Sequence, residues 1–322
     1  MSTVPSALEP AAPQWRRRLR AERISRIGFA AAAGLSLVVV GLVILFLTIN
    51  AWPAFVHIGL DHFFGSTTWD PEGANHHTQN LQPLPFFGSL TPIAGSAVAV
   101  ILALVIAIPV GLALAIMIAE TSRHVGERVL RPAIELFVGV PSIVYGYVGL
   151  VLLVPQLERF APPGQSGQGF GAAAIVLGVM VVPTIATLSA DALQAVPSSL
   201  REGSIALGAT PWQTLRRVLI PAARAGIISG IVLGLARAMG EALAVALVIG
   251  GVARLPDLAG GLSFLLKPGM TMTTTITDGI SNLGANPKAE AARYLLALVL
   301  LVITFACVTT VRVVQRRSEV IT

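Results

Sequence analysis

Apolar residues in this chain gather into long runs, and most of the charge lies in the stretches between them. Six runs stand out, at roughly 28–50, 92–119, 133–155, 171–190, 223–252 and 292–314. A helix needs about 20 mostly apolar residues to cross a bilayer, so each run is long enough. The pattern predicts an all-α integral membrane protein with six transmembrane helices. It divides the chain into a basic segment 1–27, a first helix 28–50, an external loop 51–91, a core 92–314 holding helices two to six, and a tail 315–322. Inside the core, a polar stretch over 196–222 joins helices four and five.

Composition agrees with this reading. The 322 residues are 54% hydrophobic and 12% charged, with a mean hydropathy of +0.78, whereas a soluble domain carries about 25% charged residues. The net charge of +6 follows membrane topology rather than nucleic-acid binding. Arg16, Arg17, Arg18, Arg20, Arg23 and Arg26 crowd before the first run. Arg123, Arg128 and Arg131, then Arg201, Arg216, Arg217 and Arg224, then Arg316 and Arg317 fall on the same side of a six-span topology, and 51–91 holds no Lys or Arg. The positive-inside rule therefore places both termini in the cytoplasm, although Arg254, Lys267 and Lys288 fit the opposite side less well. The first run is too long for the core of a cleaved signal peptide. A single cysteine, Cys307, excludes a disulfide framework and reads as a small buried apolar residue.

The loop 51–91 mixes Trp52, Phe55, Phe63, Phe64 and Trp69 with turn formers, as suits packing at a membrane surface. It also carries His57, His62, His76 and His77. Without cysteines or a carboxylate pattern around them, solvated loop histidines are favoured over metal ligands.

The stretch from Val196 to Ile227, VPSSLREGSIALGATPWQTLRRVLIPAARAGI, is densely punctuated. Ser199 and Glu202 have capping-box spacing, so a helix is expected to begin near Leu200. Gly208 can end it in a left-handed conformation. Thr210, with Pro211 at the first helical position and Gln213 three residues after the cap, starts a second helix. Pro221 closes the unit. Its physics fits a handle for a partner protein and an amphipathic connector equally well.

These residues resemble the permease loop of ABC importers, which reads Glu-Ala-Ala, three residues, Gly, nine residues, Ile-x-Leu-Pro. Here Glu202, Gly203 and Ser204 stand at its start, Gly208 at its glycine and Val218-x-Ile220-Pro221 at its end. The segments FFGSTTWDPEG, FFGSLTPIAGS, ELFVGVPSIVYGYVGL, ARAMGEALAV and MTMTTTITDGI narrow the resemblance to phosphate-importer permeases of the PstC type. The related PstA type shares several of these segments. The basic N-terminus and the long first loop favour PstC. The resemblance implies a type I, MetI-like permease core with a cytoplasmic coupling helix, in a bacterial inner membrane. It also implies a second PstA-like permease, two PstB-like ATP-binding subunits docked on Glu202, Gly203, Ser204, Gly208 and Pro221, and a PstS-like external phosphate-binding protein.

Within the fifth run, Arg237 and Glu241 interrupt an apolar sequence. At mid-membrane an Arg costs about 2.5–3.5 kcal/mol on insertion scales. Four-residue spacing on one helix would bring the two charges onto a common face. Pairing lowers the cost of burial without a net gain, so stability alone explains them poorly. A guanidinium suits an oxyanion and keeps its charge. Glu241 could neutralise it while the pathway is empty. The resemblance assigns both residues to substrate translocation, and an ion pair pinning two helices together is the competing reading.

Softer candidates are Pro141, expected to break the third helix, and Ser142, able to satisfy a freed backbone group. Gly139, Gly146 and Gly149 would permit close helix approach. Glu135 is expected near water at a helix end, while Thr184, Thr187 and Ser189 could meet an anion or bond their own helix. No P-loop is present, so the chain is expected to bind no cofactor and to hydrolyse nothing, with ATP used by a separate subunit. Three other readings stay open. One is the same architecture importing another substrate such as sulfate or molybdate. The second is an ion-driven transporter, which predicts an internal repeat of interrupted helices, and the third is a membrane enzyme using the loop histidines.

Overall fold

The computed structural model describes residues 12–71, 86–121, 125–161, 164–282 and 286–319. The chain falls into two compact units, 1–50 and 51–322. The long helix α1, Ala12–His57, supplies the first. The basic cluster from Arg16 is helical and continuous with the span. Along its apolar stretch Leu35, Leu37, Leu42 and Phe46 are exposed, as side chains that face lipid should be.

The second unit begins with a short helix α2, Leu60–Gly65, and a two-residue hairpin pairing Trp69 with Phe87 and Asp70 with Phe86. Then follow α3, Leu90–Ile116, α4, Arg131–Gly139, α5, Ser142–Val148, α6, Val154–Glu158, and α7, Phe170–Gln194. A polar unit comes next, with α8, Ser198–Ala206, α9, Pro211–Thr214, and α10, Ile220–Ala222. The chain closes with α11, Arg224–Gly240, α12, Leu243–Ile249, α13, Met272–Asp278, and α14, Pro287–Glu319.

Four stretches are long and apolar enough to cross a membrane: Ser25–His57, Leu90–Glu120, Phe170–Gln194 and Pro287–Val313. Two bent pairs raise the number to six, Arg128–Gly139 with Ser142–Glu158 at 95° and Pro211–Ala222 with Arg224–Gly240 at 69°. Helix α7 is the axis of the second unit, with 67% of its apolar window buried against 28% for Leu90–Glu120 and 11% for Pro287–Val313. Ala99, Ala103, Ala107 and Gly111 place a small residue at every fourth position of α3, and the three alanines are wholly buried. Small residues let helix backbones approach where no water drives association. A Cβ on Gly111 would stand 2.9 Å from the Ile185 side chain of α7.

The third expected span is broken. Val140 is extended at ψ 129° and Pro141 has no N–H to donate, so α4 ends and α5 restarts at an angle. The carbonyl freed at Phe137 accepts from the Tyr145 hydroxyl at 2.6 Å. The hydroxyl that repairs the break thus comes from Tyr145 rather than from Ser142, because Ser142 opens α5 and Tyr145 lies one turn further on. A Cβ on Gly146 would lie 2.7 Å from Ala244 Cα, and one on Gly149 would lie 2.5 Å from Val176. Both glycines therefore mark close approaches, whereas Gly139 faces open space.

A matched pair of substitutions checks this packing. Gly146→Ala must push α5 off α12, and overpacking of this kind costs about 1–3 kcal/mol. It is expected to lower the thermal unfolding temperature in detergent by several degrees, with Gly139→Ala as the unaffected control. Equal melting of the two variants would contradict the contact.

Candidate functional site

The fifth run does not form one helix. α11 ends at Gly240, Glu241 is extended at φ −76° and ψ 124°, and α12 starts at Leu243. Arg237 and Glu241 therefore do not share a helical face, and among the described residues no ion pair joins them. Arg237 Nη1 donates to Thr184 Oγ1 of α7 at 3.1 Å. The Glu241 carboxylate accepts from the backbone N–H of Ala244 at 3.1 Å.

The physical reason lies in the helix ends. Arg237 occupies the last turn of α11, where a cation meets the partial negative charge of unsatisfied carbonyls. Glu241 precedes α12, where a carboxylate meets unsatisfied N–H groups. Each charge is thus stabilised by a helix terminus, and both side chains are half-buried. The Glu241 carbonyl, turned out of the helical ladder, accepts from Thr273 Oγ1 at 2.8 Å.

Thr273 belongs to α13, whose first turn is a cluster of buried hydroxyls. Thr271 caps that helix, its hydroxyl accepting from the Thr274 N–H while Thr274 Oγ1 accepts from the Thr271 N–H. The Met272 N–H donates to Ser96 Oγ of α3 at 2.8 Å. Gly95 allows this approach, since a Cβ there would overlap the Met270 carbonyl at 2.0 Å. A space of about 10 Å³, bordered by Ser96, Ala238, Glu241, Thr271 and Thr273, is at the lower limit for one water. It is far too small for a tetrahedral oxyanion, so this part of the chain is closed. At the end of α13, burial raises the Asp278 carboxyl from its ordinary value, and the Arg293 charge opposes that shift.

The remaining expected residues fall into place as follows. Thr187 donates to its own helix at the Pro183 carbonyl, 2.9 Å away. Ser189 is fully buried, and its hydroxyl has no partner within bonding distance. Glu135 is exposed and pairs with Arg131 at 3.2 Å. His57 ends α1 and His62 lies in α2, while His76 and His77 lie outside the described residues. Cys307 is half-buried on α14 and borders an apolar cavity of about 210 Å³ together with Ile93, Val100, Met239 and Ile303.

The polar unit begins two residues earlier than its spacing suggested. α8 starts at Ser198 after Pro197, and no side chain caps it. Ser199 is already helical, because the extended Pro197 at ψ 135° provides the entry. Gly208 adopts φ +83° and ends α8 as expected. Thr210 and Gln213 form the full capping box. Ser204 Oγ and Thr214 Oγ1, 3.0 Å apart, tie α8 to α9. Glu202, Gly203, Gly208 and Pro221 are exposed, and Leu207 and Trp212 present 90% and 62% of their surface.

Two ion pairs missed from the sequence link this end of the molecule to its spans. Arg201 of α8 pairs with Glu120 at the end of Leu90–Glu120. Arg131 of α4 bonds Asp191 of α7 at 2.8 Å, and also Glu135 and Gln194. Nothing in their spacing signals these contacts, since partners 60 and 81 residues apart meet only in the fold.

Residues 107–320 match the family described as "Binding-protein-dependent transport system inner membrane component". The probable ABC transporter permease protein YqgH of Bacillus subtilis is 40% identical over 282 residues, covering 86% of this chain and 85% of that protein. The phosphate transport system permease protein PstC of Xylella fastidiosa is 34% identical over 273 residues, covering 79% and 78%. A bacterial alginate ABC transporter, solved with an alginate pentasaccharide-bound periplasmic protein, aligns with a TM-score of 0.57 at 16% identity, over 92% of this chain and 96% of that one. At that identity the likeness concerns the fold alone. The chain belongs to the family of binding-protein-dependent transport permeases, with the all-α type I importer architecture expected from its sequence.

The Arg201–Glu120 pair yields a direct test. Reversing either charge alone is expected to lower the melting temperature of the purified chain. The double reversal Arg201→Glu with Glu120→Arg should recover most of the loss, because contacting residues are coupled by about 0.5–3 kcal/mol. Additive losses would show that the pair contributes nothing.

Proposed function

We propose that this chain is the PstC-like permease subunit of an ATP-driven importer of inorganic phosphate. The observation that carries the reading is the placement of Arg237. A permanent cation sits in the last turn of a broken helix inside an apolar bundle, held among the described residues by one neutral hydroxyl and by no carboxylate. Such a guanidinium keeps donors for a passing oxyanion. Glu241 stands one break away, where its charge limits how tightly an anion is retained. Pathways need binding strong enough to admit the ion and weak enough to release it. Similarity to phosphate permeases over most of the chain supports the choice of substrate.

In this reading the termini and the unit α8–α10 face the cytoplasm of a bacterial inner membrane. The chain binds no cofactor, and two PstB-like subunits hydrolyse ATP. They dock on Glu202, Gly203, Ser204, Gly208 and Pro221, with Leu207 and Trp212 as apolar anchors. A PstA-like permease completes the pathway and a PstS-like protein delivers phosphate from outside. Nucleotide-driven closure of the ATPases moves α8–α10 as a rigid body, and the ion pairs of Arg201 and Arg131 carry the motion into the spans.

Uptake of labelled phosphate by proteoliposomes holding the assembled complex tests the pathway. Arg237→Gln is expected to reduce ATP-dependent uptake at least about a hundredfold, the order of one lost charge-assisted contact, with assembly intact. Excess sulfate or molybdate should not compete in the wild type. Persistent uptake in Arg237→Gln, or loss only through disassembly, would remove Arg237 from the pathway. Leu207→Asp should separately abolish retention of the ATP-binding subunits on the immobilised permease pair.

A further inference from the structure

We infer that Thr273 is a positioning residue for transport, its hydroxyl holding the fifth span open at Glu241. The inference rests on the proposed role of Arg237 and Glu241 and adds the group that sets their geometry.

In a continuous helix the Glu241 carbonyl would accept from the N–H four residues on. Here Glu241 is extended, and the Ala244 N–H turns to the Glu241 side chain. The carbonyl left over accepts from Thr273. Breaks at membrane depth persist only where neighbouring groups satisfy what they release. Thr273 is 7% exposed, and the adjacent space of about 10 Å³ cannot supply more than one water.

The platform beneath Thr273 does not depend on that bond. The capping box of Thr271 and Thr274 and the bond from Met272 to Ser96 seat α13 on α3. The Thr273 hydroxyl lies 3.0 Å from that of Thr271. With its one proton committed to Glu241, Thr273 can only accept there, and the Thr271 proton is shared between it and Thr274 Oγ1 at 3.2 Å. A hydroxyl on a fixed platform thus reaches across to the joint between α11 and α12. Losing it lets the joint close toward continuous helix, which turns Glu241 away and displaces the last turn of α11 that carries Arg237.

The test uses the complete importer in proteoliposomes and compares Thr273→Val, Thr273→Ser and Thr275→Val. At position 273 Val keeps the volume and removes the donor and Ser keeps the donor, while Thr275→Val makes the same exchange at a hydroxyl that bonds the Thr271 carbonyl of its own helix. The proposal expects Thr273→Val to lower maximal phosphate uptake at least about tenfold with half-saturation within about twofold. Thr273→Ser and Thr275→Val should stay near wild type. A second readout needs no transport. In a Cys307→Ser background, Ala242→Cys should react with a small charged thiol reagent about tenfold more slowly when Thr273→Val is added.

Wild-type uptake and labelling in an assembled Thr273→Val complex would overturn the proposal. So would an equal loss in Thr275→Val, or failure of Thr273→Val alone to assemble, since each assigns the hydroxyl to packing. If Arg237→Gln transports normally in the same vesicles, the pathway reading fails instead, and the labelling result still reports on the break.

Discussion

A carbonyl or amide released inside an apolar bundle has no water to turn to, and this constraint shapes the second unit of the molecule. Two spans are interrupted, at Val140–Pro141 and at Glu241–Ala242. Each interruption frees a carbonyl, and each is met by a hydroxyl from elsewhere, Tyr145 for Phe137 and Thr273 for Glu241. The two breaks lie against one another, because Gly146 lets α5 settle onto the backbone of Ala244. An unsatisfied buried group costs about 1–3 kcal/mol, so the Thr273 hydroxyl stabilises the break at Glu241, while at the first break the Tyr145 hydroxyl adds to the Val140 N–H that the Phe137 carbonyl already accepts.

The breaks also solve the problem of charge. An Arg and a Glu in an unbroken helix would have only each other, at a desolvation cost that pairing rarely recovers. Splitting the helix gives Arg237 a carbonyl end and Glu241 an amide end. Both charges then remain available to a third party. α11 connects this region to the polar unit as a rod of 17 residues, about 25 Å long, with the bend of 69° at its base. In the proposed importer this rod joins the docking unit α8–α10 to Arg237, as a coupled pathway requires.

Much of this was legible from residue order. Runs of apolar residues marked the spans, since lipid imposes a length that composition reveals directly. The helix-ending Gly208 and the Thr210–Gln213 box were readable because caps are local. Pro141 announced its break for the same reason. The break at Glu241 was missed. Its signal was Gly240 beside a carboxylate, a weak cue against a helical i, i+4 spacing that looked like an ion pair. Thr273 was quoted within a motif and given no role, although Thr fills five of the seven positions from Thr271 to Thr277 in an otherwise apolar chain. Its partner lies 32 residues away, and the pairs of Arg131 and Arg201 are longer still. Such contacts are set by how helices pack, which no local pattern encodes.

The central claim is that Arg237 and Glu241 act from opposite sides of a break rather than as a bonded pair. Exchanging them in one protein, Arg237→Glu together with Glu241→Arg, tests it most directly through phosphate uptake by the reconstituted complex. An ion pair survives exchange, whereas helix ends do not accept the reversed charges, a carboxylate at the carbonyl end and a guanidinium at the amide end. The account predicts that the exchanged protein, once assembled, transports no better than either single variant. Recovery toward wild-type uptake would show that the two charges act on each other, and would contradict it.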